Sequence, residues 1–332
     1  MKSKSLMDDM PEPVADVESG LKVIEEYGFC VHKRMLNPEQ VQIARDRLDE
    51  QARLERDQQV ATLGNQSRTG KTWIGGTATN QAIPSWQGVN MLPNKGREFI
   101  DLLLHPIPRA YCQGIFGNPN FHLGSSTGLI LRKGAEPMVV HCDQQYIPLM
   151  TDRPLLVNFM ICLTDFTEAM GATRVIPRSH KFDHFPTVSG NANGAFNPEP
   201  YETVPVLCEA GDVIVFESRV WHQSGQHNSD NTRYSITTFW CQSWLKPMDD
   251  YVQSLHDDVY RSLKPDELEV LGFRTDTCGR FEPRQPNDRQ STNRKMPFVP
   301  ELRPDSIVRA VPVADMDESK VFGGAKSMGR KS

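Results

Sequence analysis

The chain has 332 residues, 38% of them hydrophobic, enough for one large core and a buried pocket, which excludes a chain too small or too polar to enclose a site. Its 37 basic and 42 acidic residues leave a net charge of -5, so neither a nucleic-acid surface nor a polybasic membrane patch is expected. Seven widely spaced cysteines form no CxxC pair, and neither an apolar leader segment nor an apolar run of roughly 20 residues is present, so a reduced, cytoplasmic protein is expected. The partner this implies is a small-molecule substrate, with no nucleic acid and no membrane; a homodimer is compatible with the composition but not demanded by it.

In chain order, residues 1–13 are acidic and proline-containing and are expected to be a flexible leader. A single domain is expected over 14–275, followed over 276–332 by an extended polar tail with little to bury. The stretch "GFCVHKRML" (28–36) predicts a short strand. In "LNPEQVQIARDRLDEQARLERDQ" Asn37 is placed as an N-cap, Pro38 at the first helical position and Gln40 to close a capping box. Val41, Ala44, Leu48 and Ala52 then recur at helical spacing, which predicts an amphipathic helix packed on another element. "TGKTWIGGTATNQ" (69–81), with Trp73, is expected to be a loop, either plainly exposed or folded over a substrate.

From about 121 to 245 the chain becomes a series of short β-rich runs separated by Gly, Pro, Asn and Asp. Strands are predicted in "GLILRK" (128–133), "MVVHCDQ" (138–144), "LLVNFMICLTDF" (155–166) and "ATRVIP" (172–177). Three more are predicted in "VPVLCE" (204–209), "DVIVFESRVWHQ" (212–223) and "RYSITTFWCQSW" (233–244). Seven strands without intervening helices predict a mainly β, antiparallel sandwich or barrel with flanking helices. "PTVSGNANGAFNPEP" (186–200) reads as a loop that could cover a site. After the strands, "DDYVQSLHDDVYRSL" (249–263) places Val252, Leu255, Val259 and Leu263 on one helical face, and "KPDELEVLGF" (264–273) predicts a short helix stopped by Gly272.

The chemistry begins at "VVHCDQ". On a strand, residues two apart point to one face, so His141 and Asp143 would project together while Val140 and Cys142 face away. An isolated H-x-D is more often a polar strand end than a metal site, so a third ligand is needed. His222 supplies a candidate, because it ends a strand-like run just before Gly225. Two histidines and a carboxylate form the facial triad of non-haem Fe(II), with positions left open; zinc can use the same set. Eleven residues on, Arg233 shares a predicted strand face with Ser235 and Thr237. A guanidinium on an inward face needs an anion, and a carboxylate matches its planar fork. Ser224, two residues after His222, could add a hydroxyl. Metal ligands with a carboxylate anchor describe a 2-oxoglutarate site.

The set H-C-D at 141–143, H-Q-S at 222–224 and Arg233, with "MGATRVIPRSHK" (170–181) and "AGDVIVFESRVWH" (210–222), resembles the phytanoyl-CoA dioxygenase (PhyH) family of Fe(II)- and 2-oxoglutarate-dependent oxygenases. The resemblance runs from about Leu21 to Leu245 and implies a double-stranded β-helix, or jelly-roll, core. It implies that His141, Asp143 and His222 hold Fe(II), that Arg233 with Ser224 holds the distal carboxylate of 2-oxoglutarate, and that O2 is the other co-substrate. No catalytic residue beyond the metal ligands is implied. Cys142 and Met138 stand where some members carry glutamine, so the partner of the C1 carboxylate is unassigned; Asp143 favours oxygenation over halogenation.

The function this implies is hydroxylation of an unactivated C-H bond in a small, largely apolar metabolite, in natural-product biosynthesis, with release of succinate and CO2. An acyl-CoA hydroxylase of the same family, a zinc-type hydrolase on a jelly-roll scaffold and a non-catalytic metal-binding protein are the alternatives. Gln145, Tyr146 and Trp73 are candidates for the substrate mouth. Trp221 is expected in the core, Cys142 as a small buried hydrophobe, and Arg174, Arg178, Ser179 and His180 in a structural turn.

Overall fold

A computed structural model describes residues 9–64, 74–75, 85–147, 149–186, 188–190, 196–198 and 201–273. Trp73, the tail expected over 276–332 and most of the 186–200 loop lie outside the described residues. The first half contributes α1 (Val17–Tyr27), β1 (Phe29–His32), α2 (Pro38–Asp57), β2 (Thr62–Gly64), β3 (Ile74–Gly75), β4 (Trp86–Asn90), α3 (Arg97–Leu103) and α4 (Pro106–Phe116). The β region follows as β5 (Phe121–Leu131), β6 (Leu156–Cys162), β7 (Thr173–Val175), β8 (Val188–Gly190), β9 (Phe196–Pro198) and β10 (Val204–Pro205). It continues with β11 (Val213–Glu217), β12 (His222–Ser224) and β13 (Arg233–Gln242), after which come α5 (Tyr251–Ser254), α6 (Asp257–Ser262) and α7 (Pro265–Val270).

Among the described residues an eight-stranded antiparallel sheet runs in the order β1-β11-β6-β13-β5-β4-β2-β3, and a three-stranded sheet runs β10-β7-β12. Strand alternation sends Val157, Phe159 and Ile161 of β6, Val213 and Val215 of β11, and Ile236 and Trp240 of β13 toward the helices. The opposite face of the large sheet, with Met160, Cys162, Ile214 and Phe216, packs against Val175, Val204 and Val220 around the small sheet. The central strands are thus buried on both faces, which is why they read as apolar runs rather than alternating ones. The architecture is the predicted one: a mainly β jelly roll with flanking helices.

Helix α2 starts where the sequence places it. The Asn37 side chain accepts from Gln40 N at 2.9 Å and the Gln40 side chain accepts from Asn37 N at 2.9 Å, a complete capping box ahead of Pro38. Val41, Ala44, Leu48 and Ala52 are buried on the sheet. Leu48 fits against β5 at Gly128, where an added Cβ would collide with the Leu48 side chain. Leu48→Ala is therefore expected to destabilise the fold by about 2–5 kcal/mol, read as a lower urea midpoint at unchanged m-value. A loss well under 1 kcal/mol would show that this face is not what anchors α2.

Three predicted elements differ. "MVVHCDQ" is not a strand: 139–142 is irregular, held by a single bridge between His141 and His222, and Asp143–Tyr146 forms a 3-10 turn. "DVIVFESRVWHQ" is two strands in different sheets, broken where Val220 N donates to Glu217 O and Ser218 Oγ donates to Leu156 O at 2.5 Å. The turn lets the chain cross from one layer to the other. The helix expected over 249–263 splits into α5 and α6 because Leu255 is extended and His256 N donates to Asn94 Oδ1. Val252 is consequently exposed, and Tyr251 and Tyr260 take the buried positions beside Leu255 and Leu263. At the start of the chain, Met10 packs against the inner cluster and Asp9 pairs with Arg178. In the 186–200 stretch, β8 pairs with β9.

Candidate metal centre

His141 and His222 are brought together by backbone pairing. Each donates its N–H to the other's carbonyl, at 3.0 and 2.8 Å, and the two rings sit with centroids 4.3 Å apart. Each Nδ1 lies against the carbonyl two residues earlier, Val139 O at 2.9 Å and Val220 O at 3.0 Å. A carbonyl only accepts, so Nδ1 carries the proton and each Nε2 keeps its lone pair for a ligand. Phe216, on the inner face of β11, packs on the His222 ring at 4.8 Å.

Asp143 reaches the pair from the first position of the 3-10 turn, not from a strand face. That turn is pinned by Gln144, whose N donates to Ser218 O at 2.9 Å and whose side chain bonds Thr151 Oγ1 and Leu155 N. Asp143 Oδ1 is 3.6 Å from His141 Nε2, Oδ2 is 3.6 Å from His222 Nε2, and the three ligand atoms lie within 4.8 Å of one another. That spacing suits one ion roughly 2.1 Å from each. The predicted convergence is therefore present, although the geometry that produces it is different.

Burial governs the charge here. It holds His141 and His222 down to about 4 and raises the Asp143 carboxyl to about 6, a shift that His141 partly offsets. Neutral imidazoles leave a nearly buried carboxylate with no cationic side chain beside it among the described residues. Two imidazole nitrogens and one carboxylate oxygen with an uncompensated negative charge fit a divalent cation. The amide Nδ2 of Asn158, at the start of β6 on the same inner face, donates to Asp143 Oδ2, while Asn158 Oδ1 is buried without a partner. Sequence reading missed Asn158 and Phe216; the signal for Asn158 was one amide inside the otherwise apolar "LLVNFMIC".

Arg233 opens β13 with 2% of its surface exposed, on the face it was expected to share with Ser235, opposite the helix-packed Tyr234 and Ile236. Its guanidinium stacks 4.5 Å over the Phe166 ring and one Nη donates to Gly171 O, while Nε has no partner. Burial pushes its pKa down to about 10, and no carboxylate pairs with it among the described residues. A buried cation lacking an anion is the complement of the Asp143 centre across the same inner surface.

The other candidates divide. Ser224 lies in β12 with His222, and its Oγ accepts from Met138 N at 3.0 Å, tying the chain ahead of His141 to the small sheet. The Gln145 side chain turns back to accept from Cys142 N at 3.3 Å and caps its own turn. The Tyr146 side chain and Trp73 lie outside the described residues. Cys142 and Trp221 are buried together with Val140, on the side away from the ligands, as expected. The turn residues have structural partners: Arg174 is held by Thr203 and Glu168, Arg178 by Asp9 and Glu26, Ser179 by Ile176 O and Trp221 N, and His180 Nε2 meets Glu25 O while its Nδ1 is buried without a partner.

Known proteins are similar to this chain in sequence and, separately, in fold. Dioxygenase aneA of Aspergillus aculeatus is 29% identical over 62% of this chain and 68% of its own. Dioxygenase af480 of Aspergillus fumigatus is 27% identical over 82% and 81%. Among solved structures, the non-heme alpha ketoglutarate dependent carbocyclase SnoK from nogalamycin biosynthesis superposes with a TM-score of 0.54 at 19% identity, over 70% of this chain and 88% of that one. The epimerase SnoN, solved with Fe3+, alpha ketoglutarate and nogalamycin RO, gives 0.53 at 15% identity, over 73% and 92%. The family model for phytanoyl-CoA dioxygenase (PhyH) matches residues 24–235, a span that takes in all three clustered ligands and Arg233. The chain belongs to the phytanoyl-CoA dioxygenase (PhyH) family.

Proposed function

We propose that this dioxygenase binds Fe(II) through His141, Asp143 and His222, binds 2-oxoglutarate with its distal carboxylate on Arg233, assisted by Ser224, and hydroxylates a C-H bond of a small, largely apolar metabolite. The observation that carries the reading is the pairing of a buried anionic ligand set with a buried, unpaired arginine on one inner face. The fungal dioxygenases and the nogalamycin enzymes it resembles favour a substrate in natural-product biosynthesis. Bound iron supplies the oxygen chemistry, in which one atom of O2 enters the substrate and the other enters succinate as CO2 leaves.

The chain's own residues set the geometry for that chemistry. The Val139 and Val220 carbonyls fix both histidine tautomers, so the ligand nitrogens need no reorganisation. Asn158 donates to Asp143 Oδ2 and so orients the carboxylate that would hold the metal beside the two histidines. Arg233 presents a planar fork to the far end of the keto acid and so sets its direction in the pocket. Phe216, packed against the His222 ring within the buried cluster that also contains Met160, gives the ligand set apolar surroundings that would exclude water.

Succinate release that needs both Fe(II) and 2-oxoglutarate, and that rises with a panel of terpenoid, polyketide and alkaloid intermediates, tests the proposal. Turnover with zinc and none with iron would point to a hydrolase instead. A second expectation concerns Asn158: Asn158→Leu weakens metal binding by about 10- to 100-fold, the usual effect of removing a partner that orients a ligand. Competition against a chelator measures this, and unchanged affinity would remove Asn158 from the role.

A further inference from the structure

His227 is fully buried at 0% exposure, and neither ring nitrogen makes a hydrogen bond of regular geometry among the described residues; the polar groups that bear on the ring are the backbone of Asn231 and of His227 itself. An imidazole sealed from water without a regular partner for either nitrogen is costly unless something else occupies its donor. It is not alone. Arg233 Nε and Ser235 Oγ, the latter two residues along β13 on the same face, are also buried and unpaired. His227, Arg233 and Ser235 thus share one deficit, and His227 and Arg233 are near enough for the guanidinium charge to act on the imidazole.

The backbone brings His227 to that end. Its main chain pairs with Met170, and the next carbonyl, Gly171 O, is the one that accepts from the Arg233 guanidinium. Gly171 has φ of 69°, and a Cβ there would sit 2.8 Å from Gly225 O, so the carbonyl can take this position only because the residue is glycine. His227 N also donates to Ala135 O and its carbonyl accepts from Gly134 N, which locks the residue between the end of β5 and the 170–171 turn. The Arg233 charge reaches the ring: burial first, and that charge second, hold the imidazole below the usual histidine range. A neutral ring beside a cation keeps one N–H to donate and adds no second charge to bury.

We propose that His227 is a further 2-oxoglutarate-binding residue, donating from its ring N–H to the distal carboxylate that Arg233 engages, with Ser235 completing the subsite. The inference rests on the oxygenase reading above and deepens it. A carboxylate would accept from every donor in the set, the Arg233 guanidinium, one His227 N–H and the Ser235 hydroxyl, while Gly171 O holds the guanidinium in register. A five-carbon dicarboxylate supplies such a group at one end while its keto acid end reaches the metal.

The test compares two keto acids on the anaerobic Fe(II) protein by titrating the visible charge-transfer band. 2-Oxoglutarate carries the distal carboxylate; 2-oxovalerate chelates equally but lacks it. His227→Leu is expected to weaken 2-oxoglutarate binding by roughly 10- to 100-fold, the range for a hydrogen bond to a charged group, and to leave 2-oxovalerate binding within about twofold. His227→Asn, which retains an N–H, is expected to recover part of the loss, and it carries the comparison if the leucine variant does not fold. Equal losses for both acids, or no loss for either, would overturn the proposal by making His227 a packing residue. No band in the unsubstituted protein with either acid would instead remove the oxygenase reading, and this inference with it.

Discussion

His141→Ala or Asp143→Ala is expected to abolish succinate release, with a loss of about a thousandfold or more, because each would remove one of the three donors clustered among the described residues for a cation worth several kcal/mol to the reaction. The two replacements differ in the apo protein. His141→Ala removes a neutral, buried ring and leaves the His222 bridge intact through the backbone. Asp143→Ala removes a carboxyl whose pKa burial has raised to about 6, and with it a group the fold strains to ionise. The apo form of Asp143→Ala is therefore expected to lose little stability at neutral pH, relief of the buried carboxylate offsetting the lost bond from Asn158, although it is inactive. Thermal unfolding of both without added metal, beside a succinate assay with saturating Fe(II), checks the pair. Activity retained by either at more than a few per cent would remove that residue from the ligand set.

Arg233→Ala has the second-largest expected effect, and it falls on the co-substrate. Truncating one partner of a buried charge pair costs about 2–5 kcal/mol, or roughly 30- to 5,000-fold in affinity. The 2-oxoglutarate requirement should rise by that factor, while kcat at saturation falls much less and metal affinity is unchanged. The apo fold should tolerate the change, since an unpaired buried cation is lost along with its bond to Gly171 O. Steady-state kinetics against 2-oxoglutarate at fixed Fe(II) separates the terms. An unaltered requirement would assign the guanidinium a purely structural place over Phe166.

Much of this was legible in the sequence, for reasons that can be named. Asn37, Pro38 and Gln40 are local chemistry, and a capping box needs nothing beyond its own turn, so α2 was placed closely. Arg233 and Ser235 were assigned to one face because β13 is a continuous strand, where parity holds. His141 and Asp143 converge as expected, but parity was the wrong cause: a long-range bridge to His222 and a 3-10 turn pinned by Gln144 bring them together. Pairing partners eighty residues apart leave no local periodicity to read. The break between β11 and β12 falls at the consecutive polar residues Glu217, Ser218 and Arg219, a local interruption between apolar stretches whose meaning as a corner appears only with the sheet change.

Residues that act through others were the least visible. Asn158 differs from its apolar neighbours in β6 by one amide, and its importance appears only when Asp143 is seen to accept from it. His227 sits in "SGQHNSDN", which reads as a polar turn, yet the bridge to Met170 and the bonds to Ala135 and Gly134 bury it completely. Phe216 is one of many apolar strand residues until its ring is found against His222. In each case the function lies in tertiary contact, which periodicity does not encode.

The most direct measurement of the central claim is the visible spectrum of the anaerobic protein on adding Fe(II) and then 2-oxoglutarate. The account predicts a metal-to-ligand charge-transfer band that appears only with both present, saturates at one equivalent of each, and is absent in His141→Ala and Asp143→Ala. A protein that binds Fe(II) stoichiometrically and shows no band at any 2-oxoglutarate concentration would contradict it.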